Sequence, residues 1–131
     1  MKNSVLVVDD ETEIRQLLCM MLRFVGYQTF EAADGQDAID KVGEHAPDAL
    51  ILDVMMPKMD GIEVCRILRA EEGTADLPII MLSGKAQEED VRAGIEAGAN
   101  HYLAKPMVMN DLLDHLQAVI SNRNNQQRPF A

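Results

Sequence analysis

Five short apolar runs, each followed by a stretch with helically spaced apolar residues, constrain this chain more than any other feature. Ser4–Val8 is a continuous apolar, largely β-branched run, the pattern of a strand buried on both faces. Over Asp10–Val25 the apolar residues Ile14, Leu17, Leu18, Met21, Leu22 and Val25 fall on one helical face. Asp10 is placed to cap that helix, with Glu13 completing a capping box, and Gly26 to end it. The alternation then repeats. Strands are expected at Tyr27–Ala32, Ala49–Leu52, Leu77–Leu82 and His101–Ala104. Helices are expected from the Asp34 cap to about Glu44, over Asp60–Arg69 and Glu88–Ala97, and from an Asn110 cap. The fourth helix has two large apolar residues, Val91 and Ile95, and an internal Gly94, so loose docking is expected. The last helix turns Leu112, Leu113, Leu116, Val119 and Ile120 inward; from Ser121 to Ala131 the chain is polar apart from Phe130 and reads as a frayed tail. Short connections between alternating strands and helices imply a parallel sheet covered on both faces by right-handed crossovers. The expectation is a doubly wound (βα)5 domain over residues 1–122, with a polar tail at 123–131.

Composition narrows the function classes. The chain has 131 residues, 47% hydrophobic and 26% charged, a globular balance rather than a disordered one. Twelve basic residues against 22 acidic give a net charge of −10, which would repel a phosphate backbone. Direct nucleic-acid binding is not expected; cations or basic partner surfaces suit this charge better. No apolar run approaches the roughly 20 residues that span a bilayer, and no signal peptide is expected. Cys19 and Cys65 lack the spacing of a metal or redox pair and read as reduced thiols in a cytoplasmic protein.

In an open parallel sheet, ligands bind beyond the carboxyl ends of the strands. The residues at those ends are Asp9 and Asp10, Asp53, Ser83, and Lys105-Pro106. Singly, each is an ordinary cap or turn former. Together they bring three carboxylates, a hydroxyl and an ammonium to one sheet edge. Gathered carboxylates repel one another unless a cation neutralises them. Oxygen donors without clustered His or Cys suit Mg2+. Lys105 supplies a point charge for a phosphate oxygen, and Asp53, central among them, reads as nucleophile or metal ligand.

The segments VVDD (Val7–Asp10), LILDVMMPKMDG (Leu50–Gly61), PIIMLSGK (Pro78–Lys85) and GANHYLAKP (Gly98–Pro106) resemble the CheY-like receiver domain of bacterial two-component response regulators. The resemblance covers Ser4 to about Ile120 and rests on the four segments in combination. It implies a five-stranded parallel sheet of order 2-1-3-4-5. It also implies phosphoryl transfer to Asp53 from a sensor histidine kinase or a phosphotransfer protein. By the same resemblance Asp10, Asp53 and the Met55 carbonyl would hold Mg2+, or Mn2+ in its place, with Asp9 reaching the ion through water. Ser83 and Lys105 would contact the phosphoryl group, Lys105-Pro106 would be a cis peptide, and Ser83 and Tyr102 would form the switch. The output would be a changed surface on the fourth helix, fifth strand and fifth helix, read by a downstream protein or a second copy.

This resemblance implies a regulator, not an enzyme, that catalyses only its own phosphorylation and dephosphorylation and carries no output domain in this chain. Three other readings fit less well. A Mg2+-dependent phosphatase with an aspartyl-phosphate intermediate would need an acid–base aspartate where Met55 stands. A phosphorylation-independent interaction module would have lost acidic or lysine positions, and none is missing. A flavin domain of similar topology would need a phosphate cradle where Asp9, Asp10 and Glu11 stand.

Overall fold

The computed structural model describes residues 2–127. Its five parallel strands are β1 (Ser4–Val8), β2 (Gln28–Ala32), β3 (Ala49–Asp53), β4 (Ile79–Ser83) and β5 (His101–Ala104), in the order β2-β1-β3-β4-β5. The helices are α1 (Thr12–Phe24), α2 (Gly35–His45), α3 (Gly61–Ala70), α4 (Glu88–Ala97) and α5 (Met109–Gln127), with a 3-10 turn at Glu72–Thr74. This is the doubly wound topology expected from the alternation of the sequence.

Period-two alternation along the buried strands builds two cores. On one face Leu6, Val8, Leu50, Leu52, Ile79 and Met81 pack against Val42 of α2 and Val64, Cys65 and Leu68 of α3. On the other, Val5, Val7, Ile51, Ile80 and Leu82 meet Leu18, Cys19 and Leu22 of α1 and Leu112, Leu116, Val119 and Ile120 of α5. Both cysteines are buried free thiols. Among the described residues no helix is long and apolar enough to cross a membrane.

Several local expectations are corrected. Asp10 does not cap α1, and no capping box forms with Glu13: the helix starts at Thr12, and the preceding Glu11 makes no side-chain capping bond. The Asp9 carboxylate instead accepts the Glu11 N–H at 2.9 Å, leaving Asp10 outside the helix. The buried face of α1 is also rotated. Cys19 is enclosed, whereas Leu17 and Val25 are about half exposed. In α4, Ile95 is exposed, and Gly94 and Ala97 make the inward contacts. A Cβ at Gly94 would lie 2.6 Å from the Tyr102 ring, so α4 approaches β5 through a missing side chain rather than a large apolar anchor. α5 begins at Met109, which puts Asn110 inside the helix instead of at its cap. It also runs on to Gln127, across the expected boundary at residue 122. No Gly or Pro interrupts it before Pro129, and Arg123 reaches Asp76 at 3.5 Å. The remainder of the expected tail, including Phe130, lies outside the described residues.

Two helix starts are capped by aspartate: Asp34 as expected, and Asp60, which was expected as the first residue of its helix and instead caps it. Asp34 accepts the Asp37 N–H at 2.8 Å, and Asp60 accepts the Glu63 N–H at 2.9 Å. The second fixes where α3 begins, directly against the end of β3. Gly61 donates its N–H to Val54 C=O at 2.9 Å, and a Cβ there would strike the Asp53 carbonyl oxygen and lie 2.8 Å from Val54 Cα. These are backbone atoms with little freedom to yield. Gly61→Ala is expected to destabilise the domain by about 1–3 kcal/mol in urea unfolding, the usual range for forced overpacking.

Candidate functional site

The strand register assembles the site. Val8 pairs with Leu52, so Asp9 emerges beside Asp53; Ser83 pairs with Ala104, so Lys105 emerges one step further along the same edge. Asp9 and Asp53 are buried and Asp10 is exposed. One carboxylate oxygen from each of the three lies within 4.8 Å of the others.

Lys105 reaches over the end of β4 to this group. Its ammonium donates to Asp9 Oδ2 at 3.1 Å and sits 3.5 Å from Asp53 Oδ1. The Met55 N–H also reaches Asp53 Oδ1, at 3.3 Å. Burial pushes the Asp53 carboxyl above its ordinary value, and the Asp9 charge adds to the shift; Lys105 and the Met55 N–H oppose it without cancelling it. Burial alone would lower the Lys105 ammonium, but the hydrogen bonds and charges of Asp9 and Asp53 outweigh it and hold it above the usual lysine value. One cation thus serves two buried carboxylates, and Asp10 adds a third negative charge. The donor set is all oxygen, open to solvent on the Asp10 side, and short of positive charge, which fits a hard divalent cation.

Ser83 is fully buried at the end of β4, and its Oγ accepts the Lys85 N–H at 3.0 Å. The Tyr102 hydroxyl donates to the carbonyl of the same Lys85. The segment after β4 is therefore held at one residue from both sides, by the Ser83 hydroxyl on β4 and by the Tyr102 hydroxyl on β5. Tyr102 lies outside the charged cluster and packs against α4 and Met81. The Lys105–Pro106 peptide is cis.

Two residues at the site were not anticipated. Gly61 is needed for the close passage of α3 over Asp53, and the Asp-Gly pair ahead of a helical pattern was the available signal. Arg15 enters from α1, its side chain only 13% exposed, and donates to the Asp9 carbonyl at 2.8 Å and to Glu31 Oε1 at 3.0 Å. A charged residue between the inward-facing Ile14 and Leu18 was the visible hint.

The response regulator receiver domain profile matches residues 5–117, and the chain belongs to that family. It is 41% identical over 125 residues to response regulator MprA of Mycobacterium sp. (strain KMS), covering 95% of this chain and 54% of that protein. The MprA of Mycobacterium tuberculosis (strain ATCC 25618 / H37Rv) is 45% identical over 121 residues, 92% of this chain and 51% of the relative. The chain thus spans about half the length of these curated relatives. Among solved structures, a putative response regulator from Chloroflexus aurantiacus superposes with a TM-score of 0.88 at 36% identity, covering 92% of this chain and 99% of that one. Chemotaxis protein CheY4 of Vibrio cholerae superposes at 0.85 and 36% identity, covering 91% and 99%.

The raised Asp53 pKa has a consequence for stability. Between its unfolded and folded values the folded chain holds a proton that the unfolded chain has lost, so stability falls as pH rises through that window. The full penalty remains above the folded value. Asp53→Asn is therefore expected to raise the melting temperature at neutral pH without divalent ions, and the gain should shrink as pH falls through the carboxylate range. Paired thermal melts across pH check both parts.

Proposed function

We propose that the chain is a phosphorylation-controlled signalling switch that accepts a phosphoryl group on Asp53 from a histidine kinase or a phosphotransfer protein. The observation that carries this reading is the placement of Asp53: buried at the end of β3, 3.5 Å from the Lys105 ammonium and beside Asp9 and Asp10. Asp10, Asp53 and the Met55 carbonyl would hold Mg2+, or Mn2+, with Asp9 acting through water; the ion would neutralise charge on the phosphoryl oxygens.

The chain's own residues do the rest. An oxygen of Asp53 forms a bond to phosphorus as the bond from phosphorus to the donor's imidazole nitrogen breaks, its electron pair remaining on nitrogen. The product is an acyl phosphate. Lys105, already directed at Asp53, pairs with the added charge, and the Ser83 hydroxyl donates to a phosphoryl oxygen. Such a site works by positioning and charge neutralisation, and the donor brings the reactive bond with it. Incubation with acetyl phosphate and Mg2+ should add one base-labile phosphoryl group, located at Asp53 by peptide mapping. Asp53→Asn should take up none. Label retained in that variant, or full labelling without a divalent ion, would contradict the assignment.

Ser83 also supports a route to the output. Turning its hydroxyl toward the phosphoryl group disturbs the bond it accepts from Lys85, the residue whose carbonyl holds Tyr102. The equilibrium of the segment after β4, of α4 and of β5 would shift, and with it the α4-β5-α5 surface offered to a partner protein or a second copy. Ser83→Ala should still be phosphorylated on Asp53 but lose most of the amide shifts that beryllofluoride induces in α4 and β5 of the parent. Equal responses in both proteins would overturn this route.

A further inference from the structure

We infer that Arg15 is a positioning residue for the cation site, fixing the backbone that aims Asp10. The inference rests on the reading that Asp10 helps to hold Mg2+. All the polar groups of Asp9 are committed. Its N–H donates to Ala32 C=O at 3.2 Å, and its carbonyl accepts Arg15 Nη1 at 2.8 Å. Its Oδ1 accepts the Glu11 N–H at 2.9 Å, and its Oδ2 accepts Lys105 Nζ at 3.1 Å. These bonds pin both peptide planes that flank Asp10. Arg15 holds the one before it through the Asp9 carbonyl, and the Asp9 carboxylate holds the one after it through the Glu11 N–H. The Asp10 carboxylate itself makes no hydrogen bond or ion pair among the described residues, yet it lies within 4.8 Å of oxygens from Asp9 and Asp53. Its place comes from the backbone on either side.

Arg15 is itself held. Its Nε donates to Glu31 Oε1 at 3.0 Å at the end of β2. Lys41 of α2 then donates to the Glu31 carbonyl and pairs with Asp37 at 3.4 Å. The chain of contacts runs from α2 through β2 and α1 to the loop that carries Asp10. The two bonds from Arg15 use two different nitrogens of a rigid fork, which a single ammonium cannot reproduce.

Positioning and charge predict opposite signs. Removing a positive charge near three carboxylates strengthens their attraction for a cation; loosening Asp10 weakens it. The test is Mg2+ titration of the unphosphorylated protein, followed by calorimetry and amide shifts, with thermal melts to verify folding. Arg15→Met should bind Mg2+ roughly tenfold more weakly, the scale on which groups orienting a metal ligand act. Arg15→Lys, which keeps the charge but loses the fork, should also bind more weakly, and carries the test alone if Arg15→Met does not fold. In an Asp10→Asn background neither change should weaken binding further. Affinity that is unchanged or higher in the Arg15 variants, or the same loss with and without Asp10, overturns the inference. A parent protein that binds no Mg2+ overturns the reading of the cation site as well, whereas a parent that binds with unaltered Arg15 variants overturns this inference alone.

Discussion

The site depends on one ammonium held between two buried carboxylates. Lys105 stands at the end of edge strand β5, yet its Nζ meets Asp9 from β1 and Asp53 from β3, passing over the end of β4. That contact links the ends of three strands that the sheet register has already brought side by side, and makes the burial of two acids tolerable. Charges removed from water cost several kcal/mol each unless they are paired and hydrogen-bonded. The compensation is incomplete, because one cation faces Asp9 and Asp53 and a third carboxylate, Asp10, stands beside them. The resulting excess of negative charge is concentrated where the fold opens to solvent. A divalent cation would supply the missing charge, and a phosphoryl group would meet the Lys105 ammonium already aimed at Asp53.

The two faces of the sheet serve different ends. α1 and α5 close one core and α2, α3 and α4 the other, but the closures differ in kind. α3 is locked to Asp53 through Gly61, so the β3 end has little room to move. α4 meets the sheet through Gly94, Ala97 and the Tyr102 ring, with Ile95 left outside. A helix held by small residues and one ring has fewer apolar contacts to lose when it shifts. The closely packed element therefore lies under the carboxylates and the more sparsely packed one beside the segment that connects Ser83 to Tyr102.

Much of this was legible in the sequence because two periodicities carry it. Short apolar runs alternating with helical patterns read as strands of a covered parallel sheet, and parallel strands with short connections send their carboxyl ends to one edge. Asp9, Asp10, Asp53, Ser83 and Lys105 end or follow such strands, so the sequence alone puts them on that edge. What escaped were features set by tertiary contacts. The apolar stripe of α1 admits more than one rotation, and packing chose Cys19 over Leu17. Asp10 looked like a helix cap because Asp before a helical pattern usually is one, but Asp9 took the Glu11 N–H instead. Arg15 could not be assigned from helical spacing, since its partners, the Asp9 carbonyl and Glu31, lie on other elements. α5 continues past Ile120 through a polar stretch with no apolar periodicity to announce it, and Arg123 there meets Asp76, a contact that no local pattern encodes.

The central claim is that the fold holds Asp53 in a site whose charge Lys105 only partly balances. The direct measurement is a carbon-detected NMR titration of the side-chain carboxyl groups in metal-free protein, with Lys105→Met alongside. The account predicts that Asp53 titrates above the ordinary carboxylate value of about 4 and moves higher still without the lysine. An Asp53 midpoint at or below that ordinary value in the parent, unmoved by loss of Lys105, would contradict it.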